Sequence, residues 1–275
     1  MSKKPSPFDI SGKVAVVTGG SGVLGTAACT TLAEAGVRVA ILGRKPETMN
    51  ALVAKLTKLG AESCAIEADC LDRPSLEKAR TQIGDRWGRI DFLLNYAGGN
   101  RPGATTAVDR PFFGLPQDQL EAAIGLNLMG TILPCQVFGQ VMADRGEGVI
   151  LNISSMAASR PLTRIIGYSA AKAAVDNFTR WLAVYCAKEY SPKIRVNALA
   201  PGFFLTDQNR YLLTDEKTGE PTERGKSILQ HTPMARFGAA EDLSGAVLWL
   251  LSPASAFVTG IVLPIDGGFS AFGGV

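Results

Sequence analysis

Tyr168 and Lys172 stand four residues apart in Tyr168-Ser-Ala-Ala-Lys172, and Ser155 precedes the tyrosine by thirteen. Residues at i and i+4 share one helix face, so this spacing sets an ammonium beside a phenol. A free tyrosine, with a pKa of about 10, is a poor proton donor or acceptor at neutral pH. A nearby positive charge favours the phenolate and moves that pKa toward the working range. A serine hydroxyl aimed at the same point can hold a substrate oxygen. Earlier in the chain, Val16-Val17-Thr18-Gly19-Gly20-Ser21-Gly22-Val23-Leu24-Gly25 joins an apolar run to a helical pattern. Gly19 and Gly25 permit tight turning and close backbone approach. The helix start offers free N–H groups and a positive dipole end to a pyrophosphate. A proton relay together with a phosphate-binding turn points to hydride transfer.

Positioning these residues requires a framework, and the chain supplies one. Strands are predicted over 14–18, 37–42, 64–68, 90–95, 149–153, 194–199 and 261–264. Helices are predicted over 22–35, 46–59, 74–87, 117–143 (with Pro134 as its kink), 166–188 and 240–251. Residues 98–116, with their glycines and prolines, read as a loop, and 203–237 as a small polar lid. This alternation predicts an α/β fold: one doubly wound Rossmann domain over 1–275, with about seven parallel strands flanked by helices. The composition, 46% hydrophobic and 19% charged, is that of a well-cored protein.

Other chemistries find little footing. The net charge of +3 is small and no basic run occurs, which argues against nucleic acid as a partner. The five cysteines form no CxxC pair and His231 is the only histidine, so no metal site is expected. Ser155 lies in no G-x-S-x-G turn, which disfavours hydrolysis. The first seven residues carry charge with no apolar stretch behind them, and no apolar run is long enough to span a membrane. A cytoplasmic protein with reduced cysteines is the expectation.

In order and at matching spacing, the motifs resemble the short-chain dehydrogenase/reductase family over nearly the whole chain, from about Phe8 onward. Thr18, Gly19 and Gly25 match that family's Thr-Gly-x-x-x-Gly-x-Gly turn, with Val23 where its second glycine stands and Gly22 one place early. Asn95-Tyr-Ala97-Gly98 resembles its Asn-Asn-Ala-Gly segment. The resemblance implies that Asp69, with Cys70 after it, meets the adenine of a dinucleotide, and that Ser21, Gly22, Val23 and Leu24 meet its phosphates. It implies further that Pro201, Gly202, Phe204 and Thr206 meet the nicotinamide end. Asn127, Ser155, Tyr168 and Lys172 correspond to the catalytic tetrad, the asparagine holding a water beside the lysine and Lys172 also touching the cofactor ribose. Ser154 competes with Ser155, but the thirteen-residue spacing selects Ser155 and strand alternation turns Ser154 away. Members of the family are mostly tetramers or dimers, so a homo-oligomer is implied.

Cofactor choice is set at the end of the second strand. A carboxylate there would bond the ribose hydroxyls of NAD and repel a 2′-phosphate. This chain has Gly43, followed by Arg44 and Lys45, which favours NADP(H), with NAD(H) as the alternative. Within the family, several segments resemble one branch, the D-mannonate oxidoreductases of short-chain type, or fructuronate reductases. They are Asn95–Asn100 with Thr105-Thr106, the segment from Met156 to Thr163, that from Gly202 to Arg210, His231-Thr-Pro-Met234 and the Gly/Phe-rich ending. That branch usually carries an acid where Gly43 stands. A sugar acid needs a cation for its carboxylate and polar partners for its hydroxyls. Asn100, Arg160, Arg164, Gln208, Asn209, Arg210 and His231 fall in segments that would rim its pocket. Reduction of another carbonyl (a polyol's, a keto acyl group's or a cyclic ketone's) and a non-catalytic dinucleotide-binding regulator are the other readings.

Overall fold

The computed structural model describes residues 6–206, 210–215 and 218–274. Seven strands form one parallel sheet in the order β3-β2-β1-β4-β5-β6-β7. They are β1 (Val14–Thr18), β2 (Arg38–Gly43), β3 (Ser63–Glu67), β4 (Phe92–Asn95), β5 (Gly148–Ile153), β6 (Ile194–Pro201) and β7 (Val262–Ile265). The strand order reverses between β1 and β4, and the loops leaving the carboxyl ends there frame the crevice in which doubly wound sheets bind ligands.

Successive side chains of a strand point to opposite faces, and here both faces are covered. On one face Ala15, Val17, Val39, Ile41, Leu94 and Leu151 pack against α1 (Val23–Glu34), α2 (Pro46–Lys58) and α9 (Ser244–Leu251). On the other, Val14, Val16, Ala40, Leu42, Leu93 and Ile150 meet α3 (Arg73–Trp87), α5 (Gly130–Arg145) and α6 (Ile166–Glu189). Side chains as large as Phe138 and Leu93 are fully buried, each contributing roughly 1.5–3 kcal/mol.

Most expected elements appear within a few residues of their predicted bounds, and two differ in kind. The predicted helix over 117–143 is interrupted: α4 (Gln117–Ile124) passes through a π-helical turn, Gly125–Met129, before α5 begins. The irregularity lies one turn ahead of Pro134, the expected kink. Insertions of this kind place a side chain that a regular helix would point elsewhere. The helix expected over 240–251 opens as a 3₁₀ turn, Ala240–Leu243.

Within Gln117–Arg145 an 18-residue stretch reaches a mean hydropathy of 1.4, long and apolar enough to cross a membrane, contrary to the expectation that no run would be. Its apolar residues are core instead: Cys135, Val137, Phe138 and Met142 are buried against the sheet and its neighbouring helices. After β6 the chain makes an excursion through α7 (Arg210–Leu213) and α8 (Glu223–Gln230) and returns beside its start, where Phe204 bridges Gly238.

Candidate active site

The turn after β1 is built for close approach. Gly19 adopts φ 63°, and a Cβ there would stand 2.7 Å from the Ala97 nitrogen. On Gly25 a Cβ would stand 2.4 Å from the Gly19 oxygen, so this helix can sit on its turn only without one. Val23, in the place of the family's second glycine, is accommodated as the first residue of α1. The turn is closed one residue earlier, by Gly22 N–H donating to Gly19 O at 3.0 Å. Gly22 caps α1 with no side-chain acceptor, which leaves the first-turn amides of Val23 and Leu24 for an anion. Bare backbone, a free helix start and an open crevice fit a dinucleotide pyrophosphate.

At the end of β2 a Cβ on Gly43 would lie 3.7 Å from Ser21 Oγ, which accepts from Thr48 Oγ1 at 3.2 Å. Two hydroxyls therefore border the end of β2. Thr48 escaped the sequence reading because its place in the first turn of α2 matters only once the helix is folded. Arg44 stands 3.8 Å from the Asp69 carboxylate as an exposed pair. The Cys70 side chain is directed at Gly130, and burial pushes its thiol up to about 11. Asn95 is buried inside the sheet and donates to Asn152 Oδ1 at 2.9 Å, pinning β4 to β5, while Ala97 N donates to Thr18 Oγ1 at 3.3 Å. Gly98 extends that backbone run into the crevice. Gly202 N donates to Ile265 O at 2.9 Å and holds the segment from Pro201 to Thr206 at the carboxyl end of β6.

Ser155, Tyr168 and Lys172 come together at the carboxyl end of β5. Ser155 Oγ accepts from Ala157 N at 3.1 Å and lies in hydrogen-bonding reach of the Tyr168 hydroxyl. Ser154 faces the other way and donates to the Asp176 carboxylate, as strand alternation predicts. Lys172 is only 3% exposed; its Nζ donates to Ile153 O at 2.7 Å and stands 5.6 Å from the Tyr168 ring centroid. Burial pushes Lys172 down to about 8, against the pull of Asp176. Tyr168 departs from expectation. Burial raises its pKa, with the Ser155 hydrogen bond offsetting part of the rise. The ammonium is committed to a main-chain carbonyl and lies over the ring.

Asn127 occupies the π-helical turn and is fully buried. Its Nδ2 donates to Gly99 O and Ala123 O, both at 2.9 Å, and its Oδ1 accepts from Gly99 N at 3.0 Å. Both ends of the amide are thus engaged, so the side chain fixes the loop after β4 rather than presenting a free group to a water. Asn127 Oδ1 and Lys172 Nζ flank Gly98, lying 2.8 and 3.4 Å from where a Cβ would stand.

The residues expected to rim a substrate pocket divide. Arg160 donates to Ser270 O and so clamps the C-terminal segment instead of standing free. Asn100 Nδ2 donates to Thr105 Oγ1 at 2.9 Å inside its own loop. His231 Nδ1 pairs with Ser227 O at 2.7 Å, and its ring meets Phe272 edge-on. Arg210 is exposed at the start of α7, while Gln208 and Asn209 lie outside the described residues. Arg164 remains available, in left-handed backbone at φ 76°. Two arginines were missed. Arg101 has its Nε shielded with no hydrogen-bond partner, and Arg224 is half-buried on α8. A lone arginine in a loop or an amphipathic helix carries no sequence signal.

A family model described as enoyl-(acyl carrier protein) reductase matches residues 20–270. The chain belongs to the short-chain dehydrogenase/reductase family and is a dinucleotide-dependent oxidoreductase. It is 45% identical to the Bacillus subtilis oxidoreductase UxuB, itself uncharacterised, over 98% of this chain and 99% of that protein. Among solved structures it resembles a candidate D-mannonate oxidoreductase from Haemophilus influenzae with bound NAD. The TM-score is 0.90 at 41% identity, with 97% and 98% of the two chains covered. A gluconate 5-dehydrogenase from Burkholderia cenocepacia in complex with NADP and tartrate matches with TM-score 0.85 at 30% identity, covering 97% and 98%.

Proposed function

We propose that this enzyme interconverts the carbinol and ketone of a sugar acid such as D-mannonate and D-fructuronate, with NADP(H) preferred over NAD(H). The meeting of Ser155, Tyr168 and Lys172 beside an uncapped helix start carries the reaction class. Likeness to the Haemophilus and Burkholderia proteins, one named for D-mannonate and the other a gluconate dehydrogenase, supports the substrate class. A nicotinamide dinucleotide in the crevice supplies the hydride donor or acceptor. Ser155 and Tyr168 hydroxyls grip the substrate oxygen, and Tyr168 gives its proton to the forming alkoxide during reduction. Lys172 holds a positive charge beneath that proton transfer, and Asn127 fixes the loop that shapes the site. Residues 203–237 serve as the lid. Oxidation assays with sugar acids and neutral polyols, and reduction assays with keto acyl thioesters and cyclic ketones, each with both cofactors, test the reading. It fails if a sugar acid is not the best substrate.

The cofactor preference has a separate basis. Gly43 offers no carboxylate to a 2′-phosphate, while Arg44, Lys45, Ser21 and Thr48 surround the position. The exposed Arg44–Asp69 pair is worth at most about 1 kcal/mol, less than the roughly 1.5–3 kcal/mol of a charge-assisted phosphate contact, so the phosphate wins the arginine. NADPH should bind roughly ten- to a hundredfold more tightly than NADH. The Gly43→Asp variant should reverse that order; the nearest atom to its Cβ is the Sδ of the flexible Met49, at 3.1 Å. Titration with both reduced cofactors checks this, and tighter NADH binding by the native protein would contradict it.

We further propose a cytoplasmic homo-oligomer. Its five thiols are free, and α6 exposes Trp181, Val184 and Tyr185 as an apolar strip. Trp181 and Tyr185 stack at 4.9 Å on that strip, a surface suited to a second copy.

A further inference from the structure

Three loops leave the carboxyl ends of β4, β5 and β6 on the substrate side of the strand-order reversal, and each brings an arginine. Arg101 follows β4, Arg164 lies four residues before Tyr168 after β5, and Arg224 sits in the first turn of α8 after β6. None of the three forms an ion pair among the described residues. The first two loops are joined by Thr106 N, which donates to Arg164 O at 2.9 Å, and Arg101 is tied into its own loop by Thr105 Oγ1, which donates to Arg101 O at 2.8 Å.

Each arginine is also set apart in its structure. The shielded Nε of Arg101 has no acceptor, an uncommon condition for a buried donor. Arg164 holds φ 76°, a conformation that a residue with a side chain keeps only when its surroundings impose it. Arg224 is half-buried with the charge of Arg164 near enough to depress its own pKa, after the larger effect of burial. The adjoining carboxylate of Glu223 is engaged with Lys226 at 2.8 Å. An anion set between Arg164 and Arg224 would be held by two planar guanidinium forks at once.

We propose that Arg101, Arg164 and Arg224 form the subsite for the substrate carboxylate, Arg224 from the lid and Arg164 and Arg101 from the loops after β5 and β4. The inference rests on the sugar-acid reading and adds which residues enforce it. The subsite would select open-chain acids over neutral polyols of the same length. It would also couple substrate binding to lid position, because Arg224 rides on α8 while Arg164 and Arg101 lie outside the lid.

The test measures KM and kcat for a sugar acid and for the neutral polyol of the same carbon number, at saturating cofactor. The native enzyme is compared with Arg224→Gln, Arg164→Gln, Arg101→Gln and the charge-keeping Arg224→Lys. Loss of a charge-assisted contact should raise the acid-to-polyol KM ratio at least about tenfold in Arg224→Gln and Arg164→Gln. Arg224→Lys should recover a good part of it. A ratio that stays at the native value in all three Gln variants, while the native enzyme oxidises sugar acids well, overturns the subsite and leaves the sugar-acid reading standing. A native enzyme that oxidises neutral polyols and ignores sugar acids removes both. Equal losses on both substrates in every variant, not rescued by lysine, would show a structural role and likewise overturn the subsite.

Discussion

Replacing Tyr168 with Phe should lower kcat for ketone reduction by roughly 10²–10⁴-fold, the contribution of a positioned general acid. The substitution removes one hydroxyl and keeps the ring that packs beside Lys172. Melting temperature should therefore change little, and cofactor binding should persist. The direction of the Tyr168 pKa sharpens the expectation. Because burial raises it, the phenol is protonated at neutral pH and ready to donate, which suits reduction. Alcohol oxidation needs the phenolate, so its rate should climb with pH in the native enzyme, and that climb should vanish in Tyr168→Phe. Steady-state rates in both directions across pH decide it; near-normal turnover in the variant would reject the role of Tyr168.

Lys172→Met should lower kcat at least about a hundredfold and at the same time make the protein more stable at pH 7. Burial brings this lysine from 10.5 to about 8, so the folded state holds its proton less tightly than the unfolded state does. Below pH 8 both states are protonated and the full cost of burying the charge is present. Between about 8 and 10.5 the unfolded state binds more protons, so native stability gains with rising pH through this window. Methionine avoids that cost but loses the bond to Ile153 O, for a net gain of about 1–3 kcal/mol at pH 7. The difference in melting temperature between variant and native protein should shrink as pH rises through that window. An inactive variant that is less stable at pH 7 would mean that the Ile153 bond outweighs the buried charge.

Legibility in the sequence differs from layer to layer. The sheet is legible because its strands are apolar runs separated by Gly- and Pro-marked turns, so Val14–Thr18 and Gly148–Ile153 could be read with few errors. Ser155, Tyr168 and Lys172 were legible because their spacing is itself the geometry. The π-helical turn at Gly125–Met129 was not, since an inserted residue leaves the apolar pattern of the flanking helices intact. Nor was the orientation of Lys172 toward Ile153 O, which depends on where β5 ends relative to α6. The polar rim was read least well. Arg160 and Arg164 are alike in sequence, yet one reaches Ser270 and the other stays unpaired, because the C-terminal segment folds back to only one of them. Arg224 becomes visible only when the fold brings α8 near Arg164.

Hydride transfer between a sugar acid's carbinol carbon and a nicotinamide is what this constellation is held to perform. It is tested most directly by a single-turnover reaction with a sugar acid deuterated at that carbon and an excess of enzyme with oxidised cofactor. Analysis of the reduced cofactor by mass should show one deuterium per molecule, with a slower transfer step than for the unlabelled acid and a transfer slowed roughly 10²–10⁴-fold in Tyr168→Phe. Reduced cofactor without deuterium, or no reduction with any sugar acid under these conditions, would contradict the account.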